Sequence, residues 1–358
     1  MRLLAAVTTR QIVRRIFFMY MYSDYLIIGA GVAGCTLAWL LRQAGREALL
    51  LELRDIKTKD KLCGGALGDE AMRMLETIFG AGVIDELSSV HHPLMRLRCL
   101  DRELSTSLRF YTLPRKRLDD WMLRSCIDMG VRVLDRMHIK AIDEKEHMVS
   151  CEDLRSRDKN RIGYGTLIGA DGAASTVRRL LGGNRQSLAI ALEGIVPTVD
   201  NDIIFEYHPV RVGYCWYIPT GDTANIGCGL YEGTLADARE WLAGFCADMQ
   251  VAPSQLRGAP IPSGDDVLLQ VGKGAWLIGD AAGLIDPING GGIHYALDSA
   301  YKFARSLQGG IPYAKAMSPD IEKIMQMARI REVRYLSIAS SIACKGHTKK
   351  GSKKQNGV

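Results

Sequence analysis

Long hydrophobic runs are missing from this 358-residue chain. No stretch approaches the ~20 uninterrupted apolar residues that a membrane-spanning helix needs. Paired cysteines are missing as well. The nine cysteines are odd in number and scattered, and none forms a CxxC pair. That argues against a structural zinc site or any other metal centre, and for a reducing, cytoplasmic compartment. There is no internal repeat. What remains is 47% hydrophobic and 24% charged residues, the mix of a globular enzyme with one large or two intimate domains. A disordered chain, a collagen-like repeat and a small disulfide scaffold are excluded.

The net charge of +6 is a property of the ends. Residues 1–22 carry Arg2, Arg10, Arg14 and Arg15 with no acid, and residues 345–358 carry five lysines with no acid. Removing these nine positive charges leaves −3 for residues 23–344. A nucleic-acid partner would need a basic face on that body, so none is expected. The Arg-rich start reads either as a targeting segment or as an over-long start, since Met19 and Met21 sit directly before the fold begins.

From Asp24 the pattern becomes strand (24–29), Gly-rich turn, helix (32–44) and strand (48–53). Helices are expected near 68–78, 118–129, 234–249, 292–307 and 320–343. Strands are expected at 131–134, 137–142, 146–151 and 165–170, then across a β-rich middle from about 190 to 230. The turn reads Gly29-Ala30-Gly31-Val32-Ala33-Gly34. The first glycine permits the tight turn, the second admits a pyrophosphate to the backbone, and the third packs helix against strand. The helix start supplies unpaired N–H groups to the phosphate. Glu52, with Arg54 beside it, stands at the end of the second strand, where a carboxylate accepts the ribose hydroxyls of a dinucleotide.

Two later motifs choose the dinucleotide. Residues 169–178 read GADGAASTVR and residues 278–293 read IGDAAGLIDPINGGGI. Both resemble signatures of the FAD-binding fold shared by flavin hydroxylases, flavin halogenases and geranylgeranyl reductases. The resemblance implies FAD as cofactor. It places Gly279, Asp280 and Pro287 at the ribityl chain, and Gly291, Gly292 and Ile293 at a helix start beside the flavin ring. Asp171 reads as a further cofactor residue, or as part of a turn and cap before a helix. LPRKRLD (113–119) resembles the RxxFD element of the same group, with Leu118 for Phe. That match points Arg115 at the cofactor, and the plainer alternative is a solvated arginine at a helix start.

KLCGG (61–65) and YCWYIP (214–219) resemble the KxCGG and YxWxFP elements of geranylgeranyl reductases, with Ala66 where a third glycine is common and Ile218 for Phe. This implies a two-lobed α/β flavoprotein that reduces carbon–carbon double bonds of a prenyl-type or other apolar substrate by hydride from flavin N5. Cys63 would supply the proton, Gly64 would adjoin the flavin, and Tyr214 and Trp216 would hold the substrate. As plainer readings, Cys63 is a buried hydrophobe and Tyr214 and Trp216 are strand core. YCWYIP also resembles the WxWxIP motif of flavin halogenases, whose lysine would be sought among Lys57, Lys59 and Lys61. A flavin monooxygenase and a non-catalytic prenyl-binding protein are the alternatives. No second GxGxxG is present, so the reductant is NAD(P)H bound transiently or a small electron carrier.

The domain reading follows. Residues 23–90, 111–185 and 269–310 build a Rossmann-type FAD-binding domain, and 91–110 and 186–268 an inserted β-rich substrate domain. Residues 1–22 are an extension, 311–344 a helical segment and 345–358 a basic disordered tail. Ile324, Ala328, Tyr335, Ile338 and Ile342 fall near one face of the last helix ahead of the lysines. That arrangement predicts peripheral contact with an anionic lipid surface, the alternative being a helix packed on the body.

Overall fold

The computed structural model describes residues 21–87 and 89–348. Its first strand, Met21–Ile28, lies between Ala48–Leu51 and Lys159–Gly169, parallel to both. Arg132–Leu134 and Ala275–Leu277 extend the parallel sheet on either side. Leu26, Ile27, Leu49 and Leu50 have at most 1% exposure, because a parallel sheet is covered on both faces and its strands are apolar throughout. Helices Val32–Gln43 and Ile293–Leu307 pack on it against each other. An antiparallel pair, Met137–Asp143 and Met148–Asp153, branches from the Lys159–Gly169 strand.

A second sheet is built from two separated stretches of chain. Strands Leu188–Pro197, Ile203–Tyr207, Gly213–Pro219, Thr223–Leu230 and Arg257–Pro262 are joined by Met95–Cys99 and Arg102–Thr106. Alternation along Gly213–Pro219 divides its side chains between two faces. Cys215 and Tyr217 pack beneath helix Leu235–Asp248 through Trp241, Leu242 and Phe245. Tyr214, Trp216 and Ile218 face the other way, toward Ala66 and Phe110 of a small three-stranded sheet. That helix starts on a complete capping box, with Thr234 and Asp237 exchanging hydrogen bonds.

Three expectations are corrected. The first strand begins at Met21, so the last two residues of the expected extension belong to the sheet; residues 1–20 lie outside the described residues. The helix expected over 118–129 begins at Arg115, directly after Pro114, whose fixed φ suits a helix entrance. The final helix is two, Tyr313–Arg329 and Arg331–Lys345, broken at Ile330. The break sends its halves to different lobes: Tyr313, Met317 and Ile324 join the first core, while Tyr335, Ala339 and Ile342 pack on Cys99, Tyr207 and Val212 of the second sheet. Of the side expected to meet lipid, Ile324, Tyr335 and Ile342 are therefore buried in the protein, and Ala328 and Ile338 are half-buried. Residues 349–358, with the remaining lysines, lie outside the described residues. Among the described residues no helix is long and apolar enough to cross a membrane.

Candidate active site

The Gly-rich turn shows why each of its glycines is there. Gly29 has φ +107°, and a Cβ on it would lie 2.4 Å from the Ala170 carbonyl oxygen. A Cβ on Gly34 would lie 1.9 Å from the Gly29 carbonyl oxygen. Both positions are closed to any side chain. Gly31 differs, since a Cβ there meets no protein atom within 4 Å. The space before it is open. Helix Val32–Gln43 begins there with no side-chain cap and no acid in its first turn, which leaves its N–H groups and positive dipole end facing that space. Ala30 and Ala33 are buried in the turn, and Val32 sits beneath it.

Glu52 stands at this end of the cleft. One carboxylate oxygen accepts from the Ala30 N–H at 3.0 Å and the other from the Arg54 N–H at 2.9 Å. Lys59 Nζ donates to Glu52 at 2.7 Å and to the Ala30 carbonyl at 2.6 Å. Burial alone would raise the Glu52 pKa, but Lys59 and the two backbone donors hold it below the ordinary value. The Arg54 side chain reaches the Asp60 carbonyl at 3.3 Å.

Asp280 sits in the short helical turn Gly279–Ala282, behind the start of helix Ile293–Leu307. A Cβ on Gly292 would lie 2.8 Å from Asp280 Oδ1, so a side chain there would push the carboxylate from the helix start. Gly279 has φ +56° and donates to Ser299 Oγ at 3.0 Å. The Gly292–Ile293 helix start has no side-chain cap, and Gly291 N–H donates to Asn289 Oδ1 at 2.7 Å. Pro287 is buried in the same loop. Lys61 Nζ bonds Asp280 at 2.8 Å. Burial would raise the Asp280 pKa, but Lys61 and Arg115 bring it below the ordinary value. Asp171 faces elsewhere: its carboxylate accepts from Ser175 Oγ and from the Thr176 and Val177 N–H groups, capping helix Thr176–Leu180.

Cys63 is half-buried where the lobes meet. Arg115, buried at the start of its helix, donates to Asp119 at 3.1 Å, and Cys63 is close enough to act on its charge. Burial works against its charge, yet Asp119, Cys63 and Asp280 together raise its pKa, so the guanidinium stays ionised. From the second sheet, Trp216 and Ile218 press on Gly64, where a Cβ would lie 2.5 Å from Ile218 and 3.4 Å from Trp216 Nε1. Trp216 donates to Asn225 Oδ1 at 2.6 Å. The Tyr214 hydroxyl bonds the Asn289 carbonyl, and Tyr335 bonds the adjacent Ile288 carbonyl, so two tyrosines hold the Asp286–Gly292 loop. Burial pushes the Tyr214 phenol well above its usual range, which keeps it a neutral donor.

A cleft of about 220 Å³ opens between the lobes, lined by Lys61, Cys63, Arg115, Glu193, Asn225 and Arg257. The structure thus brings Cys63, Gly64, Arg115, Asp280 and Trp216 together, and gathers Gly31 and Glu52 at a second place along the same loop. Asp171 is turned to its own helix. Among the described residues no cluster suits a metal ion. Residues fitting FAD are present: an open cradle at Gly31, two uncapped helix starts, and carboxylates placed for hydroxyl groups. Glu193, Asn225 and Arg257, ordinary members of strands in the other lobe, carry no signal that singles them out in the sequence. Lys59, considered there for halogen transfer, is instead the partner of Glu52. Lys61 carried a signal as the first residue of KLCGG.

The pattern defining the FAD binding domain matches residues 22–224. The chain is 28% identical to a menaquinone reductase of Mycolicibacterium smegmatis over 319 residues, covering 80% of this chain and 77% of that protein. It is 28% identical to a geranylgeranyl diphosphate reductase of Rhodobacter capsulatus over 302 residues, covering 77% and 72%. Its fold is similar to that of a geranylgeranyl bacteriochlorophyll reductase-like protein from Thermoplasma acidophilum, with TM-score 0.70, 21% identity and coverage of 90% and 88%.

Proposed function

The chain belongs to the FAD binding domain family, and on that premise we propose that it is an FAD-dependent reductase of carbon–carbon double bonds in a prenyl-type substrate. The observation that carries this reading is that Cys63 and Arg115, from separate segments, line one cleft near Asp280, with Trp216 packed on the Gly64 next to Cys63. Relatives named for a menaquinone and for a geranylgeranyl diphosphate support the substrate class. Reduced FAD supplies the hydride when bound.

The remaining work belongs to the protein. Gly31 and the helix start behind it receive the pyrophosphate, Glu52 the adenosine ribose, and Asp280 the ribityl hydroxyls. An isolated alkene gives no stable carbanion, so the proton must arrive as the hydride does. Cys63 donates it, and the Arg115 guanidinium beside the sulfur balances the charge left behind. Trp216 and Ile218 hold the Cys63–Gly64 backbone in place and offer an apolar wall, since an alkene presents no hydrogen-bond handle. Tyr214 sets the cofactor loop through Asn289. Lys59, Lys61 and Lys116 are paired with Glu52, Asp280 and Asp120, and Lys57 is exposed, so each lysine near the cleft that halogen transfer would need is either ion-paired or turned to solvent. The electrons come from NAD(P)H or a small carrier protein.

The test is anaerobic reduction of the purified flavoprotein, addition of menaquinone or geranylgeranyl diphosphate, and mass analysis of the product. A gain of two hydrogens is the expected result. A product that gains oxygen when air is admitted would make the protein a monooxygenase and overturn the reading.

A further inference from the structure

A donated proton must be replaced before the next turnover, and the cleft holds a second acid placed to do so. Glu193, in strand Leu188–Pro197, is 4% exposed and lines the cleft with Cys63. The Cys63 N–H and the Asn225 side chain both favour its charged form, and Asn225 accepts from Trp216 at 2.6 Å. Arg257 lies 3.6 Å away and also bonds Asp60 at 2.7 Å, so the second sheet grips the loop at Asp60. Burial raises the Glu193 pKa, and Asp60 adds to it, against the opposing effects of Asn225, Arg257 and the Cys63 N–H. The charged groups around it are Asp60 and Lys61 of the loop, Arg115 and Lys116 of the helix start, and Arg257 of the neighbouring strand.

We propose that Glu193 controls the proton on Cys63, returning one to the thiolate after each turnover. The proposal rests on the reductase reading above. In the first step the Cys63 S–H bond breaks as the new C–H bond forms. In the second the Glu193 O–H bond breaks as S–H re-forms, leaving a carboxylate beside Arg257. Water at the cleft mouth then reprotonates Glu193. Glu193 acts through Cys63 and is a positioning residue for the proton, not a group that touches the alkene.

Glu193→Gln keeps an acceptor for the Cys63 N–H and for Asn225 but carries no acid proton. Single-turnover reoxidation of the reduced flavoprotein, by whichever of menaquinone or geranylgeranyl diphosphate the wild type reduces, should stay within about twofold, because the first turnover does not call on Glu193. Later turnovers should slow at least about tenfold, and Glu193→Asp should restore part of that loss. Equal slowing of first and later turnovers, or no slowing, would overturn the proposal. A second readout needs no substrate. In a Cys344→Ser background the other seven cysteines are buried, so iodoacetamide reports on Cys63. Above the pH at which Glu193 ionises, its charge opposes a Cys63 thiolate, so Glu193→Gln should speed alkylation there about tenfold. An unchanged profile would sink the coupling. If the wild type reduces neither substrate the reductase reading fails by itself, while alkylation still decides whether Glu193 and Cys63 are linked.

Discussion

Two glycines of one turn should behave in opposite ways. Gly31→Val places a side chain in space that no protein atom approaches within 4 Å, and the Gly31 backbone, at φ −85° and ψ −171°, is one valine adopts readily. The apoprotein should lose only about 1 kcal/mol, the cost of a poor residue at a helix N-cap. FAD binding should fail, because the side chain stands between the pyrophosphate and the helix start. Hydrogen bonds to a charged group are worth about 1.5–3 kcal/mol each. Losing two of them costs about 3–6 kcal/mol, a weakening of roughly 10²–10⁴-fold at 1.4 kcal/mol per factor of ten. Gly34→Ala does the reverse. Its Cβ would stand 1.9 Å from the Gly29 carbonyl oxygen, an atom fixed by the first strand. Overpacking costs at least about 1–3 kcal/mol, and here backbone must move. Urea unfolding of the apoproteins measures the stabilities, and flavin fluorescence during titration with FAD measures the affinities. Gly31→Val that binds FAD as tightly as the wild type would remove the pyrophosphate from this turn. Equal loss of apoprotein stability in both variants would refute the reasoning from packing.

Cys63→Ala should retain FAD and accept electrons at a near-normal rate, yet lose most alkene reduction; matching rates of anaerobic flavin reoxidation by substrate in the two proteins would end the proton-donor role. Glu52 and Asp280 both have folded pKa values below their ordinary ones. Their contribution is therefore present above the unfolded carboxylate range of about 3.9–4.3 and is lost as pH falls through the folded values. Glu52→Gln should flatten the acid limb of apoprotein stability measured by urea unfolding across pH, and a limb as steep as the wild type's would contradict the sign. Tyr335→Ala removes a ring that is 1% exposed and the hydroxyl bonded to the Ile288 carbonyl. Stability should fall by about 3–5 kcal/mol and FAD binding should weaken with it, because the Asp286–Gly292 loop loses one of its two tyrosine anchors. Calorimetry and FAD titration check both, and unchanged affinity would detach the last helix from the cofactor loop.

Local chemistry was legible in the sequence wherever it depends on neighbours in the chain. The strand, turn and helix from Met21 to Gln43 follow from an apolar run, three spaced glycines and helical periodicity, all readable within a few turns of one another. The alternation in YCWYIP likewise places Tyr214, Trp216 and Ile218 on one face, since a pleated strand has a side-chain period of two. Which face meets the site was not readable, because that depends on where helix Leu235–Asp248 lies. The break at Ile330 has no proline or glycine to announce it; the two lobes impose it, each claiming one half of an apolar stripe. Asp171 looked like a cofactor ligand in its motif and became a helix cap once its neighbours were in place. Glu193 shows the same limit most clearly. In the chain it is one acid in an apolar strand, 130 positions from Cys63. Only closure of the second lobe over the Lys59–Gly65 loop brings its carboxyl to the Cys63 amide, and burial there gives an ordinary glutamate a raised pKa.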